Sequence, residues 1–157
     1  MKRFKFLAFA LTGASLQSCL QISSPFSQSE LLTNLASDEK VVVGITHVEL
    51  HPDSDANSLF WQHTYRVIDS LENQQGYLGH RVRRDLGGAS GWTMTVWEDE
   101  AALISFKQSN VHTTAIANGL PAVANARFLR LTLNKSELPL PWNELEKKMD
   151  QQGRKLY

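Results

Sequence analysis

Residues 92–103 read Trp-Thr-Met-Thr-Val-Trp-Glu-Asp-Glu-Ala-Ala-Leu, and the hydrophobic pattern changes in the middle of this stretch. Its first half alternates as a strand does, with Trp92, Met94 and Val96 on one side and Thr93, Thr95 and Trp97 on the other. Asp99 is then a preferred N-cap for a helix over residues 100–109. Apolar residues at helical spacing give this helix an inner face, namely Ala102, Leu103 and Phe106.

The flanking segments extend this strand-and-helix unit in both directions. Residues 78–84 and the Gly-rich turn 86–91 place a second strand beside the first as a hairpin. Upstream, the β-branched residues 41–50 indicate a strand, and a helix follows to about residue 72. Its candidate caps are Ser54, Asp55 and Asn57, and its apolar face holds Phe60, Thr64, Val67 or Ile68, and Leu71. Downstream, a helical stretch at 111–118 precedes an alternating strand at 127–133.

The resulting order is βαββαβ, which predicts an α+β domain with the ferredoxin-like fold. Such a domain has a four-stranded antiparallel sheet with helices on one face. Both sides of the strand at 92–97 carry large apolar side chains, which a face open to water would not favour. We therefore expect the uncovered face to pack on a second copy of the chain, as a homodimer.

A targeting segment precedes the domain. Lys2, Arg3 and Lys5 form a basic start, and the apolar run that follows to about residue 16 is too short to span a bilayer. This pattern predicts a signal peptide over residues 1–18.

The only cysteine, Cys19, stands where this signal peptide would end. Residues 16–19, Leu-Gln-Ser-Cys, resemble the bacterial lipobox, whose cysteine becomes lipid-modified, and a lone cysteine cannot form an internal disulfide. The alternative is ordinary cleavage near Ala14 or Ser18 with a free thiol left behind. Because Leu20 follows rather than Asp, the resemblance to Gram-negative lipoproteins implies a lipid anchor on the periplasmic face of the outer membrane, within the cell envelope.

The remaining segments are predicted to lie outside the folded domain. Residues 19–40 are rich in Ser, Asn and Gln and read as a flexible tether with a short helix at 29–35. The domain itself spans residues 41–133, and a tail over 134–157 contains a polar helix at 142–152. Loss of the three basic residues of the signal peptide, from 16 basic against 16 acidic residues, leaves a net charge of −3. That charge does not favour nucleic acid as a partner.

The run at 92–103, followed by Phe106, Ser109 and His112, resembles the strand-to-helix segment of antibiotic-biosynthesis-monooxygenase (ABM) domains. The resemblance covers about residues 41–133. It implies a homodimer in which two sheets form an α/β barrel, with a pocket between the sheet and the helices of each subunit. Studied members of the family oxidise polycyclic aromatics or quinols without a metal or flavin, or bind and cleave haem.

Three departures argue against haem degradation. The haem-degrading members carry Trp where this chain has Phe106, and their ligand His lies near Ile116. Their first strand also supplies an Asn that has no match between Val41 and Leu50.

His112 is the candidate catalytic residue, since its place after the second helix would aim it at the pocket as a base, hydrogen-bond donor or ligand. The alternative is a helix-terminal His bonded to backbone or solvent. The candidate ligand-binding residues are Trp97, Phe106 and His47, although aromatic residues in such positions also serve as core, and His47 could instead face the dimer interface. The other histidines, His51, His63 and His80, are predicted to lie at the surface or in turns, with no zinc-binding spacing.

These observations lead to one functional hypothesis and one alternative. The chain is expected to bind a small hydrophobic or aromatic molecule, as a cofactor-independent monooxygenase in which His112 helps to deprotonate a reduced aromatic before oxygen reacts. The alternative is a non-catalytic ligand-binding or stress-related envelope protein that uses the same pocket. A third hypothesis, that the protein binds haem, would be supported by haemin binding that depends on His112.

Overall fold

A computed structural model describes residues 20–156 of the chain. The predicted signal peptide and Cys19 lie outside the described residues, as does Tyr157. The elements follow in the order β1 (Gln21–Ser23), β2 (Ser27–Gln28), α1 (Glu30–Asn34), β3 (Lys40–Leu50), α2 (Ser54–Ser70), β4 (Tyr77–Asp85), β5 (Ser90–Trp97), α3 (Glu100–Gln108), α4 (Asn110–Gly119), β6 (Val123–Asn134), α5 (Trp142–Gln152) and β7 (Arg154–Lys155).

The strands form one antiparallel sheet in the order β1-β4-β5-β3-β6-β7, with β2 also paired to β4. Its four long strands, β4-β5-β3-β6, have the order of a ferredoxin-like sheet, so the predicted fold class is confirmed. Within residues 20–156 the sheet has seven strands rather than four, because β1, β2 and β7 extend its two edges.

Helices α2, α3 and α4 cover one face of the sheet, which we call the helical face. The side chain of Asp99 begins α3 by accepting a hydrogen bond from the Ala102 amide (2.8 Å), as predicted. At α2 the cap is Asp53, whose carboxylate accepts from the amides of Asp55 and Ala56. The helix then turns its predicted apolar stripe toward the sheet. Helix α2 begins shortly after β3 and α3 shortly after β5. The apolar side of each helix therefore lies against the sheet close to the end of the preceding strand.

The opposite face of the sheet, which we call the second face, is covered by segments from near both ends of the described part of the chain. It packs into one core with α1, the segment before α5, and α5 itself. Leu145 and Met149 of α5 are 0% and 1% exposed. The homodimer was predicted because this face of the sheet was expected to be uncovered. In the structure the chain covers the face with its own residues, so that reason for a dimer no longer applies.

The segments expected to be a tether and a tail are thus parts of the folded unit. The described part of the tether runs along the edge of β4 through β1 and β2. Phe26 lies over Gly79, where an added Cβ would stand 2.8 Å from the Phe26 ring. At the other end of the chain, the Trp142 ring lies under the guanidinium groups of Arg81 (4.3 Å) and Arg83 (4.8 Å). Arg83 also forms an ion pair with Glu146 of α5.

Candidate functional site

A cavity of about 230 Å³ lies between the helical face of the sheet and helices α2 to α4. Its walls are mainly apolar, with contributions from Val48, Phe60, Val67, Ile68, Val82, Leu103, Phe106, Ile116 and Phe128. An apolar pocket with few polar groups is the usual form of a small-molecule site. The apolar stripe predicted for α2 is therefore confirmed as the side that faces the sheet, but much of it lines a cavity.

Small residues in the sheet hold the helices close around this cavity. Gly91 on β5 lies directly beneath the Trp61 indole, where an added Cβ would stand 2.3 Å from the ring. Trp61 is fixed there because its Nε1–H donates to the Gly88 carbonyl oxygen (2.7 Å). Gly44 on β3 similarly leaves room for Leu103 of α3, because a Cβ added at Gly44 would stand 3.3 Å from Leu103 Cδ1.

Three threonine hydroxyls lie in the floor of the cavity, on Thr46, Thr93 and Thr95. Thr46 and Thr93 are direct cross-strand neighbours on β3 and β5. Thr95 is engaged, since it accepts a hydrogen bond from Trp97 Nε1 (2.9 Å) and donates to the Gly44 carbonyl (3.4 Å). The hydroxyls of Thr46 and Thr93 have no partner among the described residues, so both can bond to a ligand.

His112 lies in the first turn of α4 and lines the cavity. This agrees with its predicted position after α3. Its Nδ1 lies 3.1 Å from the carbonyl oxygen of Lys107. Because a carbonyl can only accept, the neutral ring carries its hydrogen on Nδ1 and keeps a lone pair on Nε2. Burial lowers the pKa of His112 below its ordinary value, which keeps the ring neutral near pH 7. The geometry is that of a base or hydrogen-bond acceptor.

His80 is a second histidine of the cavity, and the prediction that it lies in a turn or at the surface is wrong. It sits on β4 opposite Thr95, and its Nδ1 lies 2.6 Å from the Tyr77 hydroxyl. Burial lowers the pKa of His80 and raises the pKa of Tyr77 to about 12. Both groups are therefore neutral near pH 7.

The three predicted ligand-binding residues have different positions. Phe106 lines the cavity, and its ring contacts that of His112 at 4.7 Å between centroids. Trp97 is fully buried and stacks on Phe106 at 4.7 Å, so it supports the cavity wall without lining it. His47 lies on the second face, stacked on Trp92 at 4.1 Å and bonded to the Ser90 hydroxyl at 3.2 Å. The prediction that His47 reaches the ligand is corrected, because strand alternation turns it away from the cavity.

Two further observations concern residues 20–156 alone. They contain no cluster of His, Cys, Asp and Glu side chains that could hold a metal ion. None of the helices in this part of the chain is long and apolar enough to cross a membrane.

Comparisons with known proteins agree with this architecture. Residues 44–118 match the family model described as antibiotic biosynthesis monooxygenase. A search of curated proteins gave no match.

Several solved structures share the fold. SnoaB, a cofactor-independent oxygenase from Streptomyces nogalater, superposes with a TM-score of 0.52 at 17% identity, over 64% of this chain and 98% of its own. A candidate monooxygenase from Fusobacterium nucleatum superposes with a TM-score of 0.57 at 11% identity, over 70% of this chain and 50% of its own. A candidate monooxygenase from Lactobacillus acidophilus superposes with a TM-score of 0.53 at 14% identity, over 70% of this chain and 51% of its own. This chain therefore spans about half the length of those two proteins. At these identities the likeness concerns the fold alone.

The matched segment begins at Gly44 on β3 and ends at Asn118 on α4, so it contains His80, His112 and most of the cavity wall. Residues 44–118 of this chain therefore form a domain of the antibiotic biosynthesis monooxygenase family.

Proposed function

We propose that the cavity binds a small aromatic molecule with an ionisable hydroxyl group, and that the chain oxygenates this molecule without a metal or flavin. The observation that carries the proposal is the neutral His112 at the wall of an apolar cavity, with an Nε2 that has no hydrogen-bond partner among the described residues. An apolar cavity of about 150 Å³ is large enough for benzene. At about 230 Å³ this one suits a ligand of two fused rings.

The chemistry assigned to the chain's own residues is proton transfer and positioning. His112 Nε2 would accept the proton of the ligand hydroxyl, and the electron-rich anion would then react with O2. For naphthalene-1,4-diol the balanced reaction is diol plus O2 to 2-hydroxy-1,4-naphthoquinone plus water. One oxygen atom enters the ring and the other leaves as water. The four electrons come from oxidation of the diol to the quinone and of one ring C–H to C–OH.

Binding is tested by filling the cavity from α4. Ala115 lines the cavity, whereas Ala117 on the same helix is exposed. We expect Ala115→Phe to abolish binding of naphthalene-1,4-diol in anaerobic calorimetry, and Ala117→Phe to leave it unchanged. Equal affinity in both variants would show that the ligand binds elsewhere and would refute the proposal.

Turnover is tested with ¹⁸O₂, because spontaneous oxidation of the diol gives 1,4-naphthoquinone without incorporated oxygen. We expect the wild type to form 2-hydroxy-1,4-naphthoquinone with one ¹⁸O atom. His112→Gln keeps a hydrogen-bonding side chain but no base, so it should retain binding and lose at least about 100-fold in rate. Binding without labelled product in the wild type would instead support the alternative, a non-catalytic ligand-binding protein.

We further propose that the protein is anchored in the cell envelope through a lipid on Cys19. In support, three exposed apolar side chains lie together beside that position: Leu20, Ile22 and Leu86. Leu20 and Leu86 are joined by a backbone hydrogen bond of 2.8 Å. A lipid on Cys19 would bring this patch against the bilayer surface. We expect Cys19→Ala to move the protein from the membrane fraction to the soluble fraction. An unmodified cysteine in the wild type, measured by intact mass, would refute the anchor.

A further inference from the structure

His80 is held by a hydrogen bond to Tyr77, which precedes it on β4. The Tyr77 hydroxyl lies 2.6 Å from His80 Nδ1. Tyr77 is buried, and its hydroxyl hydrogen needs an acceptor. His80 Nδ1 is the acceptor within hydrogen-bond distance, so Tyr77 donates to it.

This arrangement fixes the tautomer of His80. With Nδ1 accepting from Tyr77, the neutral ring carries its hydrogen on Nε2. His80 lines the cavity and its Nδ1 is already engaged, so Nε2–H is the polar group it offers to a ligand.

The two cavity histidines therefore have opposite hydrogen-bonding character. His112 donates from Nδ1 to the Lys107 carbonyl and offers an acceptor, while His80 offers a donor. A continuous series of ring contacts joins them, from His112 to Phe106 (4.7 Å), Trp97 (4.7 Å), Tyr77 (5.9 Å) and His80 (6.0 Å). The rings of Trp97 and Tyr77, which lie behind the cavity lining, thus connect the two cavity histidines.

We propose that His80 is a ligand-binding residue that donates Nε2–H to a carbonyl oxygen of the ligand, and that the ligand class is an aromatic hydroxyketone. This inference rests on the proposed function, in which His112 accepts the hydroxyl proton. When the hydroxyl and the carbonyl are conjugated, loss of that proton places negative charge on the carbonyl oxygen. The Nε2–H group of His80 is then a donor to the oxygen on which charge develops.

A matched set of two-ring ligands tests this assignment. The set is 6-hydroxy-1-tetralone, which has both groups, 5,6,7,8-tetrahydro-2-naphthol, which lacks the carbonyl, and 1-tetralone, which lacks the hydroxyl. We expect the wild type to bind the hydroxyketone about tenfold more tightly than the naphthol, the size of one good hydrogen bond. In His80→Leu this preference should disappear while the affinity for the naphthol is kept. In His80→Gln, whose amide can donate from a similar position, most of the preference should return.

Each outcome separates the inference from the proposed function. If the wild type binds all three ligands without preference, or if His80→Leu keeps the preference, the role of His80 is refuted while the cavity proposal stands. If none of the three ligands binds, both proposals fail.

A measurement without ligand checks the tautomers themselves and does not depend on how the variants fold. Long-range ¹H–¹⁵N NMR of the wild type should show His80 protonated at Nε2 and His112 protonated at Nδ1 near pH 7.5. Finding the hydrogen on Nδ1 of His80 would overturn the inference.

Discussion

Replacement of Leu145 by Ala tests whether α5 is an integral part of the fold. Leu145 is 0% exposed and packs in the core of the second face, with residues of β3, β5 and β6. Leu-to-Ala substitutions at fully buried sites cost about 2–5 kcal/mol through lost burial and the cavity left behind. Because Leu145 lies between the helix and a continuous sheet, the surroundings have little freedom to collapse. We expect a loss of about 3 kcal/mol in the free energy of unfolding.

Urea denaturation followed by circular dichroism measures this loss. With a urea m-value of about 2 kcal/mol per molar, the midpoint should fall by about 1.5 M in a single transition. Leu59 on α2 is a matched control, since it is 45% exposed, and its replacement by Ala should change stability by less than about 0.5 kcal/mol. If Leu145→Ala were as mild as Leu59→Ala, or if α5 unfolded in a separate transition, the reasoning about the second face would be refuted.

Three further predictions concern stability. Burial lowers the pKa of three histidines, His47, His80 and His112, so the unfolded chain binds protons more readily. Their contribution is complete above about pH 6.5 and is lost as the pH falls through the lowered values, so the urea midpoint should drop between pH 7.5 and 5.5. A flat or rising midpoint would contradict this. Gly91→Ala, which brings a methyl group against Trp61, should cost about 1–3 kcal/mol. Gly87→Ala, with open space around the added carbon, should cost almost nothing in the same thermal melts. Asp99→Ala should cost about 1 kcal/mol by removing the cap that the Ala102 amide uses, and an unchanged melting temperature would show that the cap is dispensable.

Periodicity was sufficient to predict the central fold. The alternation in β5, the cap at Asp99 and the apolar stripe of α2 each depend on neighbours within a few positions, and each is present in the structure. They place the helices on one face of an antiparallel sheet, and His112 at the start of α4.

Coverage of the second face was missed because it depends on contacts between distant parts of the chain. α5 is a largely polar helix, but Trp142, Leu145 and Met149 recur at helical spacing and form one apolar stripe. This stripe was a usable signal. Its strength was masked by the surrounding Glu, Lys and Gln residues.

The two misplaced histidines have different physical causes. Both faces of β3 carry apolar residues. The alternation of the strand therefore did not show which of its faces lines the cavity, and the side on which His47 lies could not be predicted. In β4 an irregularity in register between Tyr77 and Gly79 brings Tyr77 and His80, three positions apart, to the same face of the sheet. Simple alternation would have put them on opposite faces.

The most direct test of the central claim is an isotope-filtered NOE experiment on the ¹³C-labelled protein with unlabelled naphthalene-1,4-diol under anaerobic conditions. The cavity proposal predicts NOEs from the ligand ring to methyl groups of Ile68, Thr93 and Leu103, which line the cavity, and none to Leu145 on the second face. NOEs confined to methyl groups outside the cavity, or no binding at millimolar ligand, would contradict it.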